Sequence, residues 1–403
     1  MDRIPLSVFE KLNNQDLCSD VPEDRFVSKC LRSQETFSTP CKEWTYFTKG
    51  NNILEFHDTT GLNKVLISFT QPAKKRKQKK PNGSRNQPKI IGSDLTEGFS
   101  EFKPESLKDV YSFDDILRSI QYLIHNKKFN LDDLKIVTIR RHLQKLMTIP
   151  IYKQEVQFNV IYWKGMIFFA YDWKSESTNN NDDNSSSKYH KLMQYTGFKF
   201  EKVLSEGIKD SNFYTVVQHC VDNIPVIYTA EIDCSIDKEK GLENYVELKT
   251  HSKLPDDKIS TINKLNKKLL STFIQTKFID CQHSIVGFRS TDLKIASIKK
   301  YTQRELASVI NSFPVFLTDK CSINTKSIFQ WYNLVINWIV SKEITDPNTP
   351  QIFRLSFKRA QELINSYLIM EKIQDDTIFN DLIPKWFQSF IINTSNNPLY
   401  VHD

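Results

Sequence analysis

The chain has 403 residues, 39% of them hydrophobic and 12% aromatic, with 15 Pro, 10 Gly and seven Cys. That composition allows a sizeable core and excludes a collagen-like, broadly low-complexity or disulfide-scaffold chain. The formal charge is +7, but six cations sit in one run, Lys74–Lys80, so the remainder is almost neutral and a uniformly basic nucleic-acid surface is excluded.

The opening stretch, MDRIPLSVFEKLNN, lacks the apolar centre of a secretory signal. No apolar run approaches the roughly 20 residues of a membrane helix. The cysteines are odd in number and show no CxxC spacing, which favours free thiols in a reducing compartment over a zinc site. A soluble intracellular protein without membrane contact is expected. Residues 71–93, basic and poor in apolar side chains, read as a disordered insertion. Their cationic run suits either a nuclear-localisation signal or an RNA contact.

TIRRHLQKLMT, Thr138–Thr148, predicts a short helix ended by Pro150. NVIYWKGMIFFAYDW, Asn159–Trp173, predicts two strands around a Lys164-Gly165 turn. Residues 174–188, polar and rich in Asn, Asp and Ser, read as a second disordered insertion. INKLNKKLLSTFIQTKFI spaces its apolar residues as a helix, SIVGFRS reads as a strand, SIFQWYNLVINWIVSKEI as an amphipathic helix, and QIFRLSFK as a late strand. The mixture gives an α+β (mixed α/β) fold centred on the strands around 155–250, with no internal repeat.

Two strands carry costly residues. In PVIYTAEIDCS, Val226, Tyr228, Ala230, Ile232 and Cys234 share an apolar face while Glu231 and Asp233 share the other. In NYVELKT, Val246 and Leu248 point one way, and Tyr245, Glu247 and Lys249 the other. The simplest arrangement is a hairpin or neighbouring strands that gather three carboxylates and one ammonium on a single face. Such acids repel each other unless a divalent cation neutralises them, and all-oxygen ligands suit Mg²⁺ or Mn²⁺. With a nearby lysine, these are the parts of metal-assisted phosphodiester hydrolysis. Either tripeptide alone also fits a solvated amphipathic strand. The sequence contains no Walker A, GxGxxG, GxSxG or HExxH motif.

Acid-x-acid followed by Glu-x-Lys resembles the metal-binding core of the PD-(D/E)xK nucleases. Arg140, then Gly197, Phe198, Phe200 and Glu201 in YTGFKFEKVL, then Glu231 and Asp233, Glu247 and Lys249, and Gln275 on a helix occur in an order that resembles the DXO/Rai family of RNA 5′-end decapping nucleases. KEWTYFTKG, LTEGFSEFKPES and IVGFRS extend the likeness; beyond about residue 320 little matches in detail. The resemblance implies one catalytic domain over 1–403, built on two β-sheets flanked by helices, with the pocket between the sheets. It implies that Glu201, Glu231, Asp233 and Glu247, with the carbonyl of Leu248, bind metal. Arg140 would hold substrate phosphate, and Lys249 and Gln275 would position the nucleophilic water and scissile phosphate. Arg141 stands where the family pattern carries Gly. The implied activity is removal of pyrophosphate or of unmethylated, incomplete or NAD caps from RNA 5′ ends, with or without 5′-3′ exonuclease action. The nuclear fungal branch further implies a nuclear location and an Xrn-type 5′-3′ exoribonuclease as partner. Two alternatives stand beside this: mainly a stabilising partner of that exoribonuclease with weak catalysis, or a PD-(D/E)xK DNA nuclease acting on duplex interiors.

Overall fold

The computed structural model describes residues 3–13, 40–67, 90–126, 128–177, 184–206, 211–318 and 321–395. The Lys74–Lys80 run and its surroundings, 68–89, lie outside them, and of the predicted insertion 71–93 only 90–93 is described.

Two sheets dominate the described residues. The larger has ten strands in the order 3–5, 367–373, 351–358, 157–163, 166–171, 136–139, 224–232, 212–221, 42–50 and 53–56. The smaller has six, in the order 295–302, 283–289, 245–252, 234–235, 64–65 and 205–206. The elements that matter for the site are β1 (Ile136–Ile139), α1 (Arg140–Tyr152), α2 (Asn184–Leu204), β2 (Ile224–Ile232), β3 (Cys234–Ser235), β4 (Tyr245–Ser252), α3 (Ile259–Lys277), β5 (His283–Arg289) and α4 (Thr325–Val340). The α+β architecture of two sheets flanked by helices is the one expected.

Three apolar layers hold the sheets in place. The largest lies between them and packs Leu146 and Met147 of α1, Leu269 and Phe273 of α3 and Trp331 of α4 against Tyr228 and Tyr245. A second, with Ile116 and Ile120 from helix 114–125 and Phe387 from helix 385–395, covers the outer face of the large sheet. The third sets Phe200 and Leu204 of α2 on Val246, Leu248 and Ile285 of the small sheet. The alternation read from NYVELKT is therefore right: Tyr245 enters one core and Val246 and Leu248 another. The α2 packing is close, since a Cβ added to Gly287 would come within 2.3 Å of the Phe200 ring. The Lys164-Gly165 turn forms as expected, with both residues at positive φ (53° and 78°), the requirement of a tight two-residue hairpin.

Several expectations are corrected. Pro150 does not end α1; the helix continues to Tyr152 and stops where Lys153 turns left-handed at φ 60°. A proline this late removes one N–H bond from the final turn, which costs far less than one in mid-helix. The Asn- and Ser-rich stretch is not wholly irregular: 174–177 and 184–188 fall in helices, leaving 178–183 outside the described residues. Neither is the acidic pair on one hairpin face with Glu247. Strand β2 belongs to the large sheet and ends at Ile232; the chain crosses at Asp233, and only β3 pairs with β4, Cys234 opposite Val246 and Ser235 opposite Tyr245. The acids meet across the gap between two sheets.

Candidate active site

Arg140, Glu231, Glu201 and Gln275 lie at or near element ends, while Glu247 and Lys249 lie within β4. Arg140 opens α1 straight after β1, and its buried guanidinium donates to the backbone carbonyl of Glu231 at 2.7 Å and to Oε2 of Glu247 at 3.5 Å. Glu231 lies one residue before the end of β2, and its Oε2 accepts from Nη2 of Arg141 at 2.7 Å. Asp233 occupies the crossing between sheets; its Oδ2 accepts the backbone N–H of Leu248 at 2.8 Å and sits 4.0 Å from Nζ of Lys249.

Glu247 is the hub. Its side chain is 2% exposed, and its Oε1 accepts from both Lys249 Nζ and Gln275 Nε2, the latter at 2.5 Å. Gln275, on α3, in turn accepts from Nε2 of Gln144 at 3.2 Å, so α1 and α3 are tied together behind the hub. Glu201 comes from the last turns of α2, and its charge reaches Lys249. Leu248 keeps its side chain in the third core while its backbone reaches the site. The structure thus ties Arg140, Asp233, Glu247, Leu248, Lys249 and Gln275 into one bonded group, with the Glu231 backbone carbonyl joined to it, its carboxylate turned to Arg141, and the charge of Glu201 reaching Lys249.

The balance of charge there is tight. Burial lifts the Glu247 carboxyl above its usual range and Asp233 adds to the lift, against Lys249 and Arg140. Burial pulls on the Lys249 ammonium, yet Glu247 and Asp233, with Glu201 behind them, hold it above its ordinary value. At the rim, burial and then Glu231 raise Glu105, and the same two causes raise Tyr214. At Glu105 the Arg141 and Lys49 cations oppose that rise, and at Tyr214 Arg141 does.

The donor set suits a hard divalent cation, since every candidate ligand is a carboxylate or carbonyl oxygen. Among the described residues no three acidic, His or Cys side chains form a group able to hold an ion as they stand. Arg140, Arg141 and Lys249 supply the positive charge instead.

Sequence reasoning missed Gln144, Glu105 and Tyr214. Gln144 was within reach, because it follows Arg140 by one helical turn and shares its face. Tyr214 is paired with Glu231 across β2 and strand 212–221, a register no local pattern reveals. Glu105 sits in an irregular segment without periodicity.

The sequence profile of the family described as "RAI1 like PD-(D/E)XK nuclease" matches residues 39–388. The likeness therefore runs well past residue 320, where the sequence patterns thinned out. Decapping nuclease RAI1 of Debaryomyces hansenii is 27% identical over 338 residues, covering 74% of this chain and 83% of the relative. Rai1 of Candida albicans, solved in complex with pU5-Mn2+, superposes with a TM-score of 0.70 at 18% identity, over 88% of this chain and 96% of that one. Rai1 of Scheffersomyces stipitis, solved with (3'-NADP)+ and calcium ion, gives 0.71 at 18% identity, over 89% and 97%. At that identity the two structures establish a shared fold.

Proposed function

The chain belongs to the RAI1-like PD-(D/E)XK nuclease family, and from that premise we propose that it is a divalent-metal-dependent hydrolase of RNA 5′ ends, acting in 5′-end quality control. The observation that carries the reading is Glu247: a nearly inaccessible carboxylate on which Lys249, Gln275 and Arg140 converge, with Asp233 beside it. A structural ion pair would need one cation; this carboxylate meets two cations and an amide, at the place where four elements end.

Glu201, Glu231, Asp233 and Glu247, with the Leu248 carbonyl, would hold Mg²⁺ or Mn²⁺. When bound, such an ion lowers the pKa of water and offsets charge on the phosphoryl oxygens. Lys249 and Gln275 share one oxygen of Glu247, so both donors are held side by side, fit to orient an attacking water and a phosphate oxygen. Arg140 is fixed by two acceptors and keeps a charged edge for substrate phosphate. Leu248 N–H pins Asp233, which keeps the crossing from drifting.

The substrates of this reading are 5′-triphosphate, incompletely capped and NAD-capped RNAs. The D. hansenii relative is a decapping nuclease, and the two Rai1 structures hold pU5 and (3'-NADP)+, which supports that class. The product would be a 5′-monophosphate end, the substrate form that an Xrn-type 5′-3′ exoribonuclease consumes, and we place that enzyme as partner and the nucleus as location. The Lys74–Lys80 run supports the location.

The test is Mn²⁺- or Mg²⁺-dependent release from matched RNAs bearing a triphosphate, an unmethylated cap, a methylated cap, an NAD cap or a monophosphate. Release by the native chain and its loss in Glu231→Ala/Asp233→Ala is expected. No release from any end by the folded, metal-supplied protein would sink the enzyme reading and favour the partner role.

A further inference from the structure

Three stretches distant in the sequence close on α2. LTEGFSEF (95–102) holds one side of it and IVGFRS, at the end of β5, holds another, both on the turn just ahead of Glu201. The other three acids of the site ride on sheet strands or on the crossing between them, where backbone ladders fix them. Glu201 rides on a helix. The backbone ties α2 at its C-terminal end, where the Leu66 N–H donates to the Leu204 carbonyl at 2.8 Å. One turn earlier, side chains hold it.

Tyr195 and Lys199, one turn apart, both meet Glu97. The Tyr195 hydroxyl donates to its backbone carbonyl, and the Lys199 ammonium lies 3.0 Å from its carboxylate. Gly98 leaves room for that hydroxyl, since a Cβ there would come within 2.7 Å of it. Thr196 and Phe200, again one turn apart, meet β5. Ile285, Gly287 and Arg289 share the β5 face that looks toward α2. The Phe200 ring occupies the space over Gly287, and Nη1 of Arg289 donates to the Thr196 hydroxyl. That hydroxyl donates onward to the Met193 carbonyl at 2.7 Å, so its direction is set. Glu201 follows Phe200 directly, a step of about 100° around the helix and about 1.5 Å along it. A slip of one residue would carry its carboxylate away by that same step.

Holding a hydroxyl with Arg289 is costly. The residue is 7% exposed, its Nε has no hydrogen-bond partner, and burial pulls its pKa below the usual value, with Tyr189 of α2 opposing. No carboxylate is among the groups that shift it. An apolar side chain of similar volume would fill the space without that desolvation, so packing does not account for the arginine.

We propose that Arg289 is a positioning residue of the metal site: with Gly287 beside it, it fixes the rise and rotation of α2 and thereby the place of the Glu201 carboxylate. The inference rests on the reading of Glu201 as a metal ligand and extends it to a side chain that touches neither metal nor substrate.

The experiment measures Mn²⁺ affinity by calorimetry, and thermal unfolding, on the full chain. Native protein is compared with Arg289→Met, Thr196→Val, Glu201→Gln and the double variant Arg289→Met/Glu201→Gln. Either change at Arg289 or Thr196 removes their bond, and the nearly isosteric Thr196→Val carries the test if Arg289→Met does not fold. Each should weaken Mn²⁺ binding about tenfold, the loss typical of groups that orient a ligand, while the unfolding temperature of Arg289→Met holds or rises. In the Glu201→Gln background, Arg289→Met should weaken Mn²⁺ binding no further, because the carboxylate it places is gone. A lower unfolding temperature with native Mn²⁺ affinity would mark the arginine as purely structural and overturn the inference. So would an equal loss of affinity with and without Glu201. If Glu201→Gln binds Mn²⁺ as native protein does, the ligand reading of Glu201 fails and the positioning role with it. If Glu201→Gln binds more weakly while Arg289→Met and Thr196→Val bind as native, the positioning role alone fails.

Discussion

Two polar clusters are buried between the same sheets, and they are built on opposite plans. Around His219 everything is neutral and matched. Nδ1 lies 3.0 Å from the Tyr228 hydroxyl, Nε2 lies 2.9 Å from the Tyr332 hydroxyl, and Tyr228 donates to the carbonyl of Phe278. That chain fixes the tautomer: Nδ1–H donates to Tyr228, and Nε2 accepts from Tyr332. Burial, with Lys277 adding, pushes His219 down to about 3, so it stays uncharged. Around Glu247 every member is charged or bonded to a charge, and burial and then Asp233 raise the Glu247 carboxyl while Glu247 and Asp233 hold up Lys249. The first plan suits a core that must never change. The second leaves a balance that a cation or a phosphate can complete, at a cost in stability when it is empty.

The sharpest break between the two comes from removing acids. Glu231→Ala/Asp233→Ala should cut RNA 5′-end release by more than about 100-fold, the upper loss seen for groups one step removed from a metal, while thermal unfolding moves little or upward. A similar activity loss from Tyr332→Phe would erase the distinction.

Acid should strike the neutral plan. His142, His219 and His251 are each pushed down to about 3 by burial first. The unfolded chain therefore takes up protons near pH 6.5 that the folded chain refuses until about pH 3, so stability is full above that range and falls as pH drops through it. Each histidine contributes about 1.4 kcal/mol per pH unit. Urea midpoints at pH 7 and pH 5.5 measure this; an unchanged midpoint would show that these rings titrate normally. Tyr332→Phe, which strands Nε2 of His219, should cost about 1–3 kcal/mol in the same assay at pH 7, with activity per folded molecule unaltered.

The smallest effect concerns Arg141. Its bond to Glu231 joins a side chain 44% exposed to one 20% exposed, so the pair is worth under about 1 kcal/mol. Arg141→Gly should release Glu231 and tighten Mn²⁺ binding by at most about fivefold in calorimetry. Weaker binding would mean that the arginine assists the ion rather than competing with it.

How far the sequence led can be traced residue by residue. Period-two alternation isolated Glu247 and Lys249 on the face opposite Leu248, and that survives, because β4 is one regular strand packed on both sides. The same alternation placed Glu231 and Asp233 on a common face, and there it misled: the strand ends at Ile232, and Asp233 belongs to a crossing between sheets that local pattern cannot show. Arg140, Glu201 and Gln275 entered through family likeness, since nothing in their own helices distinguishes them from solvated residues. Composition also misread 184–188, whose Asn and Ser content argues against a helix that continues to Leu204, where Phe200 and Leu204 anchor it in a core.

The crossing at Asp233 has a consequence for the newly made chain. The large sheet carries Glu231 and Arg140, the small one carries Glu247 and Lys249, and α3 brings Gln275 only after both. Neither half holds a working set of groups. A nascent or half-assembled molecule would carry acids and a lysine that have not met, and so would be harmless to the RNAs around it. The hydrolase would switch on only once docking is finished, with the correctness of its own assembly as the licence to cut.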